Sequence, residues 1–403
     1  MGVACETKIN MPAINRYQRV LSLVVVVSVS LTSLLFWLSD RDRTLCVNGL
    51  CYIPIGRESY SPMFSDDSTQ TSRLKVILLW SDFYLRSNKQ WPTKLGRISC
   101  GEHQCRLSDD RSQYEKSSAL VFHHRSKWLK QLPTTRPRRQ DQVWVLYNRE
   151  SAWWGPKGQE LDPANGLINW TMGLRRDNDV FIPTAIITEG RFLDGFDPNR
   201  NYLENKPNDV AVLMSTCSRS AGKGYNERQN YLNLLTSNGL NVHHYGKCGM
   251  RCGTDVKCVE ILKTYKFYLA FENSICDDYI SEKPYSNALR LGTVPIIMSG
   301  ANLTDTRVLP PGSFIDARQF SDSSQLVQYV IRVARNPQLY NKFFEWRNKW
   351  TFMILAEKEG LLPMRDDYFC PLCHHLHTNV AHKSINNLAK WYDQQKCYPF
   401  PST

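Results

Sequence analysis

The sequence predicts an α/β protein built from two domains. Compact apolar runs, typical of parallel strands buried on both faces, occur in two separate series along the chain. A length of 403 residues with 42% apolar content is sufficient for two domain cores. The first series comprises KVILLW (75–80), ALVFHH (119–124) and QVWVLYN (142–148), and the second comprises DVAVLMS (209–215), FYLAF (267–271) and VPIIM (294–298).

The segment from Phe267 to Gly300 carries the clearest indication of a binding site. A buried strand is followed by a polar loop, by apolar residues spaced as a helix face that Gly292 closes, and by a second buried strand. In such a βαβ unit, ligands bind beyond the carboxyl ends of the strands. We therefore expect a ligand site rather than a solvated surface loop. The loop contains Glu272, Asn273, Asp277, Asp278, Tyr279, Glu282 and Lys283.

A second feature of the same half of the chain also favours anion binding. The residues after the run 209–215 are spaced as a helix with Arg228 near its beginning. A cation close to the positive end of a helix would hold an anionic group. Gly222-Lys223-Gly224 is too short for a dinucleotide fingerprint and is interpreted as a loop.

The N-terminal segment predicts a membrane anchor. Val20 to Leu38 is an uncharged apolar run of 19 residues, just long enough to cross a bilayer as a helix. A cleaved signal peptide is the competing interpretation, but no convincing cleavage site follows the run. The basic excess before the run places residues 1–19 in the cytosol, and residues 39–72 read as a lumenal stem.

The cysteine content agrees with a lumenal chain. Of 13 cysteines only Cys5 precedes the anchor, which leaves twelve in an oxidising compartment. Local disulfides are possible where cysteines lie close in sequence, as do Cys46 and Cys51, Cys100 and Cys105, and the members of the group Cys248, Cys252 and Cys258. The connectivity cannot be deduced from the sequence.

The C-terminal run Cys370-Pro-Leu-Cys373-His-His admits three interpretations. Its form is compatible with haem attachment, and its cysteine and histidine density with zinc. An oxidising lumen and the lack of a second ligand pair favour disulfides at Cys370 and Cys373. Two sequons, at Asn169 and Asn302, offer glycosylation sites.

Several motifs carry a resemblance to a known family. FENS (271–274), DYISEK (278–283) and NALRLGTVP (287–295) resemble the donor-binding signature of the inverting α1,3-fucosyltransferases. The resemblance extends over most of residues 75 to 375, and it implies the GT-B arrangement of two facing Rossmann-like domains. The sequence departs from the pattern at Ser281, Pro284 and Ser299, and in ESAW (150–153), where the family often has ESP.

The resemblance implies the activity and the roles of the site residues. The expected reaction transfers L-fucose from GDP-fucose, with inversion, to the 3-hydroxyl of GlcNAc in a glycan. Glu150 matches the proposed general base, and Arg228 and Lys283 would neutralise the diphosphate. Asn273, Tyr279 and Glu282 match the remaining donor-binding positions. The alternative is a lectin-like pseudoenzyme that binds glycans without turnover.

The polar, proline-containing stretch 190–208 predicts the crossing between the two domains, and the resemblance implies their roles and the location. An acceptor-side domain would span residues 73–200 and contain His123-His124-Arg125, a GDP-fucose-binding domain would span 201–365, and a cysteine-containing segment would span 366–403. The protein would be a single-pass type II Golgi membrane protein.

Charge and metal patterns set the remaining expectations. The net charge of +12 is spread along the chain without a nucleic-acid motif, so it is expected to attract a nucleotide sugar rather than nucleic acid. Asp177-Asn178-Asp179 has the form of the DxD that holds Mn²⁺ in other glycosyltransferases, but a short pattern arises readily by chance. We expect no obligatory cofactor, with stimulation by Mn²⁺ left open.

Overall fold

The computed structural model describes residues 45–47, 50–55, 59–62, 74–83, 91–125, 127–192, 195–214, 223–247, 249–253, 255–355, 368–379 and 383–402. Two compact units divide the chain, residues 1–64 and residues 65–403. In the first unit three short strands form an antiparallel sheet. They are β1 (Leu45–Val47), β2 (Leu50–Ile55) and β3 (Ser59–Pro62).

This small sheet lies within residues 39–72, the segment predicted to be the stem. An Asn-Gly pair, which favours two-residue hairpins, separates β1 from β2 in the sequence. The register of the two strands places Cys46 opposite Cys51, as their predicted local pairing requires. The predicted membrane span Val20–Leu38 lies outside the described residues. Within the described ranges no helix has the length and apolar character needed to cross a bilayer.

Seven strands form the first sheet of the second unit. They are β4 (Lys75–Leu79), β5 (Gly96–Cys100), β6 (His103–Ser108), β7 (Ala119–His123), β8 (Val143–Asn148), β9 (Trp170–Gly173) and β10 (Val180–Phe181). Their order is β10-β9-β8-β7-β4-β6-β5, and only the β5–β6 pair is antiparallel. Every residue of β7 and β8 is buried, which confirms the first predicted strand series.

The remaining elements build the second sheet and the segments that join the two sheets. They are β11 (Ala185–Glu189), β12 (Asn208–Leu213), α1 (Lys223–Ser237), β13 (Val242–Tyr245), α2 (Asp255–Lys263), β14 (Tyr265–Phe271), β15 (Ile275–Cys276), α3 (Lys283–Ser286), β16 (Val294–Met298), β17 (Ile315–Asp316), α4 (Ser323–Ala334), α5 (Pro337–Asn341), β18 (Trp350–Ile354), α6 (Cys370–Thr378), α7 (Leu388–Asp393) and β19 (Cys397–Tyr398).

The second sheet is entirely parallel in the order β13-β12-β14-β16-β17. Separate apolar clusters cover its two faces, one with α1 and α4 and the other with α2 and the segment after β16. The second predicted strand series is therefore confirmed, and the predicted βαβ unit around residues 267–298 is present. The second sheet is of the doubly covered parallel type that the sequence indicated, whereas the first is parallel except for its β5–β6 pair.

The helix inside that βαβ unit is shorter than the sequence predicted. The four residues of α3 are followed by a break at Ala288, whose φ is −129°, and by a 3₁₀ turn at Leu289–Leu291. Gly292 then ends the segment with φ of +68°, as predicted. Buried side chains explain the break, because Asn287 Nδ2 donates to Tyr268 Oη and holds the backbone against β14.

The C-terminal segment contacts both sheets in turn. The α7 residues Leu388 and Tyr392 belong to the apolar core of the first sheet. Three residues after α7, the strand β19 pairs with β15 beside the second sheet, and Phe400 enters the second core. This segment therefore crosses from one sheet to the other.

Disulfides fix the same segment to both halves. Among the described residues, Cys100–Cys370, Cys105–Cys373 and Cys276–Cys397 involve this segment, and Cys252–Cys258 is a separate local bond. Both α6 cysteines are oxidised, as predicted, but the expected local pair of Cys100 with Cys105 is wrong. These two residues lie on the β5–β6 hairpin, and the C-x-x-C spacing places its two sulfurs one helical turn apart on α6, over that hairpin.

Candidate active site

Glu150 lies where the carboxyl ends of the two sheets meet. It follows β8 by two residues, and its N–H donates to Asn148 Oδ1 at 2.8 Å, which turns the chain away from the sheet. Only 6% of Glu150 is exposed. The predicted strand-end carboxylate is thus buried rather than solvated.

Two residues of the loop after β14 hold the Glu150 carboxylate. Asn273 Nδ2 donates to Oε2 of Glu150 at 3.2 Å, and Tyr279 Oη donates to the same oxygen at 3.0 Å. Ser151 Oγ and Ser274 Oγ, one residue further along each loop, lie 2.6 Å apart. Two residues predicted to bind the donor therefore contact the predicted base directly.

Arg125 and His124, which follow β7, complete the surroundings of Glu150. Arg125 Nη1 lies 3.6 Å from Glu150 Oε1, and the guanidinium lies over the ring of Trp154. His124 is 1% exposed, and burial lowers the pKa of its imidazole to about 3, opposed only in part by Glu150. His124 is therefore neutral at physiological pH, whereas Arg125 brings a positive charge to the carboxylate.

The turn after Glu150 differs from the family's proline-containing pattern. Trp154 N donates to Ser151 O at 3.1 Å, and Trp153 packs against the small cluster that contains Tyr279. Ala152 has an N–H where proline has none, and this N–H donates to Gln395 Oε1 at 2.6 Å. The substitution at 152 therefore creates a contact with the C-terminal segment and leaves Glu150 inside its hydrogen-bond network.

A buried ion pair forms the other part of the site. Lys283 Nζ lies 2.7 Å from Glu272 Oε2, and Glu272 is completely buried. The other oxygen of Glu272 accepts from both the N–H and the hydroxyl of Ser281, each at 2.8 Å. Burial alone would lower the pKa of Lys283, but Glu272 and Glu282 outweigh burial and raise it. The lysine is therefore a fixed cation.

Arg228 lies near this ion pair. It is 5% exposed on α1, and its Nη1 donates to Phe271 O at the end of β14 at 3.4 Å. The charge of Arg228 acts on the pKa of Lys283, so the two cations share one environment. The structure thus brings Arg228, Glu272 and Glu282 together around Lys283, and it brings Asn273 and Tyr279 together around Glu150.

Two family models match this chain. Residues 72–185 match "Fucosyltransferase, N-terminal", and residues 203–391 match "Glycosyltransferase family 10 (fucosyltransferase) C-term". The two matches together span most of the 403 residues. The chain belongs to glycosyltransferase family 10.

Individual members of family 10 are similar over most of the chain. The 4-galactosyl-N-acetylglucosaminide 3-alpha-L-fucosyltransferase 9 of Bos taurus is 32% identical over 290 residues, which cover 72% of this chain and 74% of that protein. Alpha-(1,3)-fucosyltransferase 4 of Homo sapiens is 30% identical over 373 residues, 81% of this chain and 66% of that protein. A crystal structure of an alpha1,3-fucosyltransferase with GDP-fucose has a TM-score of 0.47 at 14% identity, covering 79% of this chain and 96% of that one.

The DxD-like triplet of this family 10 chain is occupied by protein contacts. Asp177 is bound by the guanidinium of Arg175 at 2.6 Å. Asp179 accepts from Thr171 N at 2.9 Å and forms an ion pair with Lys383. The two carboxylates therefore serve separate contacts of the first sheet.

The disulfide bonds of the C-terminal cysteines argue against the interpretation of this run as a zinc site. Cys105, Cys373 and His377 bring potential ligand atoms within 4.8 Å of one another. Both sulfurs are joined in the Cys105–Cys373 disulfide, which leaves no thiolate to bind a metal.

The two predicted sequons have different environments. Asn302 is exposed, and its Oδ1 accepts from Thr304 Oγ1 at 2.7 Å. Asn169 is half-buried, its Nδ2 donates to Lys383 O at 2.7 Å and its Oδ1 accepts from Trp144 N at 2.7 Å. The amide that would carry a glycan is therefore part of the internal structure at Asn169 and is accessible at Asn302.

Proposed function

We propose that this family 10 member is an α1,3-fucosyltransferase that transfers L-fucose from GDP-fucose, with inversion, to the 3-hydroxyl of GlcNAc in glycoprotein glycans. The observation that carries the proposal is the buried Glu150 carboxylate, held by Asn273 and Tyr279 where the two sheets meet. The names of the bovine and human relatives support the linkage and the acceptor class.

A single displacement accounts for inversion. Glu150 takes the proton of the acceptor 3-hydroxyl as that oxygen forms a bond to the anomeric carbon of fucose. The bond from this carbon to GDP breaks at the same time, and GDP leaves with the electron pair. Charge that develops on the diphosphate is stabilised by Lys283 and Arg228. Glu282 orients the donor, while Asn273 and Tyr279 orient both the donor and Glu150.

Tyr279 is suited to this role because it remains a donor. Burial raises the pKa of its phenol well above the ordinary value, and the neighbouring Glu150 raises it further. A permanently protonated hydroxyl stabilises the ionised form of the carboxylate that it contacts. The base is thus oriented before the acceptor binds.

We propose that transfer needs no obligatory metal, with stimulation by Mn²⁺ left open. The contacts that occupy Asp177 and Asp179 support this, as does the cationic pair Arg228 and Lys283 near the proposed diphosphate site. Activity that persists in EDTA is the expected result, and complete, Mn²⁺-reversible loss would contradict it.

We propose that Val20–Leu38 anchors the protein in the Golgi membrane as a single-pass type II protein. The apolar run, its basic N-terminal flank and the four disulfides of the described region support a lumenal catalytic part. Carbonate extraction should leave the full-length chain in the membrane. Recovery of a freely secreted, cleaved chain would contradict the anchor.

The activity is tested by incubating the detergent-solubilised full-length chain with GDP-fucose and a panel of glycans. Core N-glycan and lactosamine-type acceptors should be included, and the new linkage should be determined by NMR. Release of GDP with fucose on O3 of a GlcNAc is the expected result. Glycan binding without fucose transfer would instead support the lectin-like alternative.

A further inference from the structure

Gln395 bridges the two loops that carry the proposed active site. It lies between α7 and β19, and 8% of the residue is exposed. Its Oε1 accepts from Ala152 N at 2.6 Å, and its Nε2 donates to Asp277 O at 2.6 Å. Ala152 is on the loop after β8 and Asp277 is on the loop after β14. One side chain thus binds the backbone of both halves of the site.

The position of Gln395 is fixed from both sides. Before it, α7 is anchored by Leu388 and Tyr392 in the core of the first sheet. After it, Lys396 O accepts from Asp277 N at 2.9 Å, and Cys397 is bonded to Cys276. Neither neighbouring segment can shift without breaking a core contact or a covalent bond. The amide is therefore a rigid spacer.

The two loops that Gln395 joins hold Glu150 and its partners. Ala152 follows Glu150 by two residues, and Asp277 precedes Tyr279 by two residues. The bond from Tyr279 to Glu150 exists only while the loops keep their separation, because a hydrogen bond weakens steeply with distance and angle. We infer that Gln395 is a positioning residue, which sets the location of the Glu150 carboxylate relative to Tyr279 and thereby to the reacting groups.

The chemistry of the amide suits this task. Glutamine offers an acceptor and a donor on one planar group, and both are used here. Glutamate would keep an acceptor for the N–H of Ala152, but its second oxygen would face the carbonyl oxygen of Asp277 and would be repelled by it. Methionine would keep the length of the side chain and lose both bonds. The inference rests on the proposed function, since it assigns Gln395 an effect through the base.

The experiment compares three variants of the full-length chain with GDP-fucose and an accepted glycan. Gln395→Met removes both bonds, and Gln395→Glu removes one. Gln394→Met changes the adjacent, exposed glutamine and serves as the control. We expect kcat to fall by about 10- to 100-fold in Gln395→Met and by less in Gln395→Glu, because small displacements of reacting groups are costly. The Kd for GDP and the kcat of Gln394→Met should stay at the wild-type values.

A double-mutant cycle with Glu150→Gln separates positioning from general destabilisation. If Gln395 acts through Glu150, the double variant should transfer fucose almost as fast as Glu150→Gln alone, because the residue that Gln395 positions is already replaced. Equal losses in both backgrounds would overturn the inference, as would a parallel loss of GDP affinity and of thermal stability. Wild-type kcat in Gln395→Met would also overturn it. Failure of the proposed function is recognised separately, because the wild-type chain would then transfer no fucose to any glycan.

Discussion

The phenol of Tyr279 donates a hydrogen bond to Oε2 of Glu150 at 3.0 Å, and both residues are buried. Glu150 follows a strand of the first sheet, and Tyr279 follows a strand of the second. One hydrogen bond therefore couples the half that carries the first sheet to the half that carries the second. The proposed base is oriented by residues of the opposite half.

Tyr279→Phe should lower kcat with little effect on GDP affinity. The substitution removes only the hydroxyl, and a hydrogen bond to a charged group contributes about 1.5–3 kcal/mol. The expected loss in rate is thus about 10- to 100-fold. Tyr340→Phe is the matched control, since this buried tyrosine on α5 donates its hydroxyl to Lys266 O at 2.7 Å. Unchanged kcat in Tyr279→Phe would show that this contact does not orient the base.

Lys283→Met should destabilise the fold as well as weaken GDP binding. The variant leaves the fully buried Glu272 without its cation, and removal of one partner of such a pair costs about 3–5 kcal/mol. The double variant Lys283→Met with Glu272→Gln should recover most of the stability but not the affinity for GDP. Chemical unfolding and calorimetry measure the two effects. Wild-type GDP affinity in the double variant would show that Lys283 does not bind the diphosphate.

Asn302 should carry a glycan, and Asn169 should not. The amide of Asn169 is bonded to Lys383 O, and its carbonyl accepts from Trp144 N on β8, so a glycan there would disrupt the sheet at the start of β9. Asn302→Gln should abolish the mobility shift that glycosidase produces. Asn169→Gln should leave the shift unchanged and lower the melting temperature. A persistent shift in Asn302→Gln would contradict this assignment.

His124 should make stability depend on pH. Its folded-state pKa of about 3 lies below the value near 6.5 expected in the unfolded chain. Between these two pH values the unfolded chain binds a proton at His124 and the folded chain does not. The contribution of the neutral imidazole to stability is therefore complete above pH 6.5 and is lost as the pH falls toward 3. The loss amounts to about 2 kcal/mol at pH 5.

The comparison of wild type with His124→Phe isolates this contribution. Between pH 7 and pH 5, the free energy of unfolding should fall less in His124→Phe than in the wild type, because the phenylalanine ring does not titrate. Groups facing the imidazole, namely Glu150, Arg125 and His123, are present in both proteins. Parallel pH curves would show that His124 does not remain neutral in the folded chain.

The sequence was informative where one pattern dominates the structure. Apolar runs predicted the buried strands β7, β8, β14 and β16 because both sheet faces are covered. The polar loop after β14 was recognised because acids, bases and aromatics follow a buried strand there. Glu272 lies in this loop, but its bond to Lys283 could not be predicted, since side-chain pairing depends on the turn between them.

Contacts between distant parts of the chain could not be predicted from the sequence. The partners of Cys100 and Cys105 are 270 and 268 residues away, and short spacing suggested a local pair instead. Gln395 is an ordinary polar residue after a short helix, and only the crossing of the C-terminal segment places it between two loops. The shortness of α3 also follows from tertiary bonds such as that of Asn287 to Tyr268.

The most direct measurement is single-turnover fucose transfer by Glu150→Gln, with GDP binding determined on the same preparation. Glutamine keeps the shape of the side chain but cannot accept the proton, so the rate should fall by about 10²- to 10⁴-fold while the Kd for GDP is retained. Glu160→Gln, on an exposed turn of the same half, should behave as wild type. Near-normal transfer by Glu150→Gln would contradict the assignment of Glu150 as the base.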